Sequence, residues 1–338
     1  MYRHFLVPVG DIGSCIEATG HAVAFAQSMG ARVTFLPILY QHAATPHHQD
    51  WHAQGVTGDA SRACDVRERA LELLARAEAA ARAQGVPYSS VPASDETSFD
   101  SIVAAAVRSG CDLICIAPGL RLTEVGNVAL APSDGSGAGN VAVLICAADS
   151  RPATSRAIGR LLDQHRAIAD TVHALQDMVR TARIASQQPD PISMHETVKH
   201  LRDLQIRRHR LKEAARFFAR LRERTSIADA ELDELECQRQ RDEQLLTELT
   251  ELTELTELTE LTELTELTEP VERNSEPGVR GGRLEQALSA YAQFTWEYLG
   301  REEGVVLPAA RRYLRDEDWN DIATAFDATA ADSATGTT

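Results

Sequence analysis

An imidazole and a carboxylate lie about one helical turn apart in the segment RHRLKEAARFF, where His209 precedes Glu213 by four residues. On an α-helix this spacing places both side chains on one face, within reach of a single metal ion. A further histidine, His165, lies in LLDQHRAIADTVHAL, and a further acid, Glu302, lies in WEYLGREEGVVLPAARRYL. Imidazole and carboxylate ligands suit iron. These residue types indicate inward-facing ligands of the kind found in di-iron helix bundles.

The elements that carry these residues are predicted to be helices. A linker over 149–155 precedes them, and a disordered tail over 328–338 follows them. The predicted helices cover 156–186, 194–224, a stretch from 226–229 to Pro270, 283–303 and a short 317–327. Four long helices favour an all-α four-helix bundle with up-down topology.

The first part of the chain, residues 1–148, alternates strand and helix patterns. Strands are predicted at RHFLVPV (3–9), RVTFLPIL (32–39), SSVPA (89–93), DLICIAP (112–118) and NVAVLICA (140–147). Helices are predicted at 14–29, 60–84 and 98–110. This order predicts an α/β domain in which helices cover both faces of a parallel sheet.

Composition restricts the class of protein. The chain has 338 residues and a formal net charge of −16, so we expect it to bind neither nucleic acid nor anionic membranes. No apolar run approaches the roughly 18–20 residues that span a bilayer. The start lacks the apolar core of a signal peptide, and the six cysteines form no CxxC pair. These features predict a two-domain cytoplasmic protein with reduced thiols.

Half of the net charge comes from residues 246–269, which repeat Leu-Thr-Glu eight times. Because a helix turns once every 3.6 residues, leucines spaced three apart drift around it by about 60° per copy. The repeat is therefore neither a heptad coiled coil nor an amphipathic helix. Two interpretations remain open: an acidic helix that binds a partner, or a tandem expansion without a function of its own.

Three further groups of residues each allow two interpretations. His42, His47, His48 and His52 share one polar segment, which is either a transition-metal site or a solvated loop. Cys111 and Cys115 are expected on one side of a strand, either as small core residues or as a redox pair. Residues 199–224 hold ten Lys or Arg against three acids. They form either a nucleic-acid patch or a solvated face paired with the acidic repeat.

The motif FLVPVGDIGS, the long second helix, and DLICIAP followed by a Gly-rich stretch and a last strand resemble the universal stress protein family over residues 1–148. That family often binds ATP in a loop of pattern G-x2-G-x9-G-[ST] after the fourth strand. Here the region reads APGLRLTEVGNVALAPSDGSGAGN and lacks that spacing, and only Asp11 resembles the adenosine-side carboxylate. This departure favours a packed scaffold or homodimerisation domain over a nucleotide site, and ATP is not expected.

The order and spacing of the histidines and acids, with the segment LRDEDWNDIATAF after them, resemble the bacterial hemerythrin-like (HHE, cation-binding) family over about 156–327. The family pattern is His on helix one, H-x3-E on helix two, His on helix three and H-x3-E on helix four. His165, His209, Glu213 and Glu302 match it. The resemblance implies non-haem iron and a small diatomic ligand such as oxygen or nitric oxide.

Two positions depart from that pattern, since Arg239 and Tyr298 stand where the family has histidine. Arginine cannot bind a metal, because its guanidinium stays protonated. One interpretation is a lost site, in which Arg239 forms a buried ion cluster with Glu213 and Glu302. Another is a single iron with the Tyr298 phenolate as an added ligand, and a third is a complete di-iron site. Stand-in histidines are available at His173, His195 and His200.

The two resemblances together imply a stress-associated binding or sensing protein whose metal site is degenerate. Two alternatives come from other classes. One is a metal-free structural interaction module, and the other is a residual iron site that acts on peroxide or nitric oxide. No residue stands out as a general base, so catalysis is not expected.

Overall fold

The computed structural model of the chain describes residues 2–10, 12–38, 59–92, 98–118, 141–146, 151–265 and 277–335. The chain folds into two compact units. The first comprises Met1–Asp149 and Leu299–Arg312, and the second comprises Ser150–Tyr298 and Tyr313–Thr338. Within the described residues, no helix combines the length and apolarity that a membrane crossing requires.

The first unit contains a parallel sheet of five described strands in the order β3-β2-β1-β4-β5. The strands are β1 His4–Val9, β2 Arg32–Pro37, β3 Tyr88–Ser90, β4 Leu113–Ile116 and β5 Ala142–Ile145. The central β1 is buried along its whole length, as expected for an apolar strand covered on both faces. The predicted parallel sheet is confirmed.

Helices cover the two faces of this sheet. They are α1 Gly13–Met29, α2 Asp59–Ala83 and α3 Phe99–Arg108. Because side chains alternate along β1, Phe5 and Val7 pack with residues of α1 and α2, such as Val23. Leu6 points the other way and packs with Ile102 of α3. The α/β prediction for this part of the chain is therefore confirmed.

The predicted placement of Cys111 and Cys115 on one side of a strand is wrong. Cys111 lies in the core beside α3, whereas Cys115 lies in the core beside α1 and α2. Strand β4 begins only at Leu113, so its alternation does not extend back to Cys111, which follows the left-handed Gly110. A thiol hydrogen bond with Cys146, together with burial, raises the pKa of Cys115, and burial raises the pKa of Cys111 to about 11. Both side chains are therefore protonated thiols at neutral pH.

A late segment of the chain, Leu299–Arg312, packs on α1 and α2 within the first unit. It contains a π-helical turn, Glu302–Val306, between α8 (Pro277–Arg301) and α9 (Leu307–Tyr313). A Cβ added to Gly300 would overlap the backbone carbonyl of Arg76 and lie 2.7 Å from its Cα. Only glycine permits so close an approach, so this residue sets how near the segment comes to α2.

A buried ion pair accompanies this close packing. The guanidinium of Arg76 donates to Glu303 over 3.0 Å and to Glu72 over 2.7 Å. Burial opposes the charge on Arg76, but the two carboxylates outweigh it and raise the arginine pKa. All three side chains are nearly inaccessible to solvent, so the pairing joins the segment to α2.

The second unit is helical. Its helices are α4 Pro152–Ile184, α5 Pro191–Ala214, α6 Phe217–Arg224, α7 Asp229–Thr265, the part of α8 up to Tyr298, and α10 Asp316–Thr335. Helix α5 packs against both α4 and α7, and α10 packs against α4. The predicted helical region is confirmed, and α10 extends over residues 328–335, which the sequence assigned to the tail.

The single helix predicted over 194–224 is wrong, because the chain breaks between α5 and α6. Arg216 has a φ of 49°, in the left-handed region. That conformation costs about 1–2 kcal/mol for an L-residue. It places Phe217 in the core, fully buried, with its ring 6.3 Å from that of Trp319. Burial of a phenylalanine is worth about 1.5–3 kcal/mol, which offsets the strain.

The first copies of the Leu-Thr-Glu repeat enter the core. Leu246 and Leu249 are buried, and four residues further on the inward position is held by Thr253, which is 1% exposed. The predicted drift of the leucines around the helix is therefore visible by the third copy. Helix α7 is described as far as Thr265, and the predicted end at Pro270 lies outside the described residues.

Several arginines of the predicted basic run pair with acids that lie outside the repeat. Arg222 bonds Asp233 on α7 over 2.7 Å. Arg224 bonds Asp318 at the start of α10 over 2.8 Å. Arg202 does reach the repeat, but it donates to the hydroxyl of Thr250, over 3.1 Å.

Candidate functional site

Three predicted site residues line one pocket between α5 and α7. His209 and Glu213 approach it from α5, and Arg239 from α7. The pocket has a volume of about 450 Å³, which lies within the range of small-molecule sites. All of its lining residues belong to the second unit.

The centre of this site is Asp242, which the sequence analysis missed. Its side chain is 3% exposed. The hydroxyl of Tyr291 donates to Oδ1 over 3.1 Å, and the amide of Gln205 lies 3.4 Å from the same oxygen. Arg208 and His209 approach Oδ2, at 3.4 Å and 3.7 Å. One buried carboxylate thus collects donors from α5 and α8.

We call these five residues the polar layer: Gln205, Arg208, His209, Asp242 and Tyr291. Four of them occupy core positions of their helices, which explains how they meet. Asp242 lies seven residues after the buried Leu235 and seven before the buried Leu249, so it faces inward. The detectable signal was a polar residue at an apolar position of the helical period, which sequence reasoning passed over.

Two cations lie against the ring of Tyr298, namely Arg208 of the polar layer and the nearby Lys212. Arg208 is 1% exposed, and its guanidinium carbon lies 4.3 Å from the ring centre of Tyr298. The Lys212 ammonium lies 5.4 Å from the same ring. Cation–π contacts of this kind are worth about 2 kcal/mol when desolvated. Tyr298, expected as an added metal ligand, thus has two cations against its ring.

The layer holds His209 and Tyr291 in their neutral forms at neutral pH. Burial lowers the pKa of His209, the neighbouring Arg208 and Lys212 lower it further, and the nearby Asp242 carboxylate opposes them. Burial and the Asp242 charge raise the pKa of Tyr291 well above its ordinary value. The layer therefore has one carboxylate and one guanidinium, with neutral hydrogen-bonding groups around them.

We expect the second unit to be less stable at acid pH because of His209. Its pKa in the folded chain lies below the ordinary 6.5, so between the two values the unfolded chain binds more protons. The stabilisation is complete above pH 6.5 and declines as the pH falls towards the folded pKa. NMR titration of the His209 ring should give a midpoint below 6.5, and His209→Gln should flatten the stability profile on the acid side of that ordinary value. A midpoint at or above 6.5 would contradict the expectation.

The prediction that Arg239 forms a buried ion cluster is wrong, because its ion pair lies at the surface. Arg239 does pair with Glu213, but their side chains are 55% and 59% exposed. Such surface pairs contribute about 0–1 kcal/mol. Glu302, the third expected member, is fully buried and belongs to the first unit. The helical period puts Arg239 and Glu213 at the rim, where α5 and α7 meet the solvent.

The remaining predicted residues lie elsewhere. His165 is fully buried on α4, and the ring of His173 stacks on Trp296 at 5.3 Å. His195 lies 3.4 Å from the Thr253 hydroxyl, and His200 is exposed. Asp11, His42, His47, His48 and His52 lie outside the described residues.

The residues beside the polar layer do not fit a di-iron centre. Such a centre requires several anionic or neutral donors around two cations. Here Arg208, a permanent cation, lies 3.4 Å from the buried carboxylate, and Glu213 turns to the rim. Among the described residues, no group of three or more His, Cys, Asp or Glu is arranged to hold a metal ion.

Comparison of the sequence with protein-family models finds no match, and comparison with curated proteins finds none either.

Proposed function

We propose that this protein is a stress-associated, cytoplasmic binding or sensing protein. Its first part is a universal-stress-protein-like α/β domain, and its helices form a hemerythrin-like four-helix bundle with a degenerate metal site. Support for the bundle comes from α5, which packs on α4 and α7, and from Tyr291, which joins α8 to α7. Binding without catalysis is proposed, because the Asp242 carboxylate is engaged by Tyr291 and Arg208 and no residue stands out as a general base.

The observation that carries this proposal is the guanidinium of Arg208. It is 1% exposed beside Asp242 and lies over the ring of Tyr298, the residue that stands where the family pattern has a histidine ligand. Like charges repel strongly at short range in a weakly polar interior, so a divalent cation is disfavoured there. In this proposal the positive charge of Arg208 balances the Asp242 carboxylate, as iron balances its carboxylate ligands in the family.

Metal content per chain, by mass spectrometry, tests the proposal. The protein is purified anaerobically after growth with iron, beside the triple variant Arg208→Gln/Arg239→His/Tyr298→His. We expect no iron in the wild-type chain and iron in the variant. One or two irons in the wild-type chain would overturn the proposed loss of the site and favour iron chemistry. No iron in either chain would overturn the hemerythrin-like assignment and favour the structural module.

The partner proposed for the α/β domain is a second copy of the chain. Strand β5 lies at the edge of the described sheet and exposes Val143, Leu144 and Ile145, the last at 61%. Apolar side chains in a row on an open strand edge favour strand-to-strand association.

Ile145→Lys is accordingly expected to convert a dimer into a monomer, because a charge on the strand edge would be buried in the interface. Size-exclusion chromatography with light scattering measures the change. Ile184→Lys is the matched control, since Ile184 is 74% exposed on α4 in the second unit. A wild-type chain that is monomeric at micromolar concentration would contradict the proposal.

A further inference from the structure

The pocket between α5 and α7 has a polar floor with one unused acceptor. Gln205 is 3% exposed and lines the pocket. Its Nε2 donates to the Tyr291 hydroxyl over 2.7 Å and lies 3.4 Å from Asp242 Oδ1. Its Oε1 is buried and accepts from none of the described residues.

The orientation of this amide follows from its neighbours. Turned over, the amide would bring Oε1 against the Asp242 carboxylate, and two acceptors would face each other. The nitrogen must therefore face Asp242, which leaves Oε1 without a donor among the described residues. A buried carbonyl without a donor is unfavourable, and a ligand N–H or O–H would supply the missing hydrogen bond.

The rim of the pocket has a surplus of positive charge. Arg202, Arg210 and Arg239 line it, against Glu213 and Glu243. Glu213 is already paired with Arg239. The floor adds no net charge, since Asp242 lies beside the buried Arg208 and His209 is neutral.

Two of these arginines are available to a ligand. Arg202 donates to the Thr250 hydroxyl over 3.1 Å through one nitrogen, which leaves most of the donors of its guanidinium for another group. Arg210 lies at the pocket and pairs with no carboxylate among the described residues. A planar guanidinium binds carboxylate and phosphate groups through two parallel hydrogen bonds.

We propose that this pocket binds a small organic anion that carries a hydroxyl group, with the anionic group on Arg202 and Arg210 and the hydroxyl on Gln205 Oε1. The volume of about 450 Å³ accommodates a metabolite of that kind. Hydroxycarboxylates and sugar phosphates share this chemistry. The inference rests on the proposed binding function and adds the ligand class to it.

Isothermal titration calorimetry on the full chain tests this inference with four probes: citrate, glucose 6-phosphate, tricarballylate and glycerol. Tricarballylate is citrate without its hydroxyl, and glycerol has hydroxyls without charge. We expect binding of citrate or glucose 6-phosphate, and their relative affinity identifies the source. Tricarballylate should bind about fivefold more weakly than citrate if citrate is the better ligand, because one hydrogen bond is lost. Glycerol should not bind.

Variants separate the two contacts. Gln205→Met should remove the preference for citrate over tricarballylate, and Arg210→Gln should weaken both anions severalfold. Arg207→Gln is the matched control, since Arg207 is exposed on α5 outside the pocket lining. Arg210 is on the surface, so its variant remains informative even where Gln205→Met fails to fold.

Two results would overturn the inference. One is that the wild-type chain binds neither citrate nor glucose 6-phosphate, and the other is that Arg210→Gln and Arg207→Gln bind equally well. Either result in an iron-free chain would leave the proposed function standing. Iron in the wild-type chain would overturn the proposed function whatever the titrations show.

Discussion

Replacing Asp242 with asparagine is expected to lower the free energy of unfolding of the second unit by about 3 kcal/mol. Asparagine has the same shape, but one of its terminal groups is a donor. In the wild-type chain, Asp242 Oδ1 lies 3.1 Å from the Tyr291 hydroxyl and Oδ2 lies 3.4 Å from the guanidinium of Arg208. The NH₂ group of asparagine would therefore face one of these two donors. The buried arginine would also lose an anionic neighbour in a site where water cannot replace it.

Unfolding by guanidinium chloride, followed by tryptophan fluorescence, measures this loss of stability. Trp296 and Trp319 are both buried in the second unit, so their signal in a Trp51→Phe background reports that unit. Glu243→Gln is the matched control on the next residue of α7, which is exposed, and we expect it within about 0.5 kcal/mol of the wild type. Equal stability of Asp242→Asn and Glu243→Gln would show that the polar layer does not stabilise the fold.

Gly300→Ala is expected to loosen the segment Leu299–Arg312 from α2, at a cost of about 3 kcal/mol. The new methyl group would overlap the backbone of Arg76, whose Cα would lie only 2.7 Å away. A backbone atom within a helix cannot move aside as a flexible side chain can. Amide hydrogen exchange in α2 should therefore become roughly a hundredfold faster around Arg76.

Two comparisons isolate steric overlap from helix propensity. Gly159→Ala places the same methyl group on α4 with nothing within 4 Å, and we expect it to be neutral or stabilising. At Gly304 the obstacle is the side chain of Ala80, and the Ala80 Cα would be 3.2 Å from the new Cβ. Gly304→Ala should therefore be partly rescued by Ala80→Gly. If Gly300→Ala and Gly159→Ala had the same effect, the close approach would have no energetic role.

Neither Asp242 nor Gly300 is among the site residues that the sequence predicts. The family pattern predicts Glu302 as a metal ligand, but it assigns no role to the neighbouring Glu303 or to the flanking glycines. The structure places this stretch in the first unit, where Glu303 pairs with Arg76, 227 residues earlier in the chain. Local sequence patterns do not predict an ion-pair partner at that separation along the chain.

His209 is the predicted site residue that belongs to the polar layer. Its type, its helix and its position near the pocket follow from the spacing in RHRLKEAARFF. Its actual partner, Asp242, required knowing which face of α7 meets α5. Glu213, one turn after His209, shares its helix and lines the same pocket but turns to the rim and pairs with Arg239.

The sequence by itself determined the elements and their class. Apolar runs such as RHFLVPV specify buried parallel strands, and helical periodicity specifies α4 and the start of α7 close to their observed bounds, because these signals are local. Tertiary structure alone decided which polar groups meet. The break at Arg216 depends on the burial of Phe217 against Trp319. The polar layer likewise depends on the rotation of three helices about their axes, which packing sets and local sequence does not.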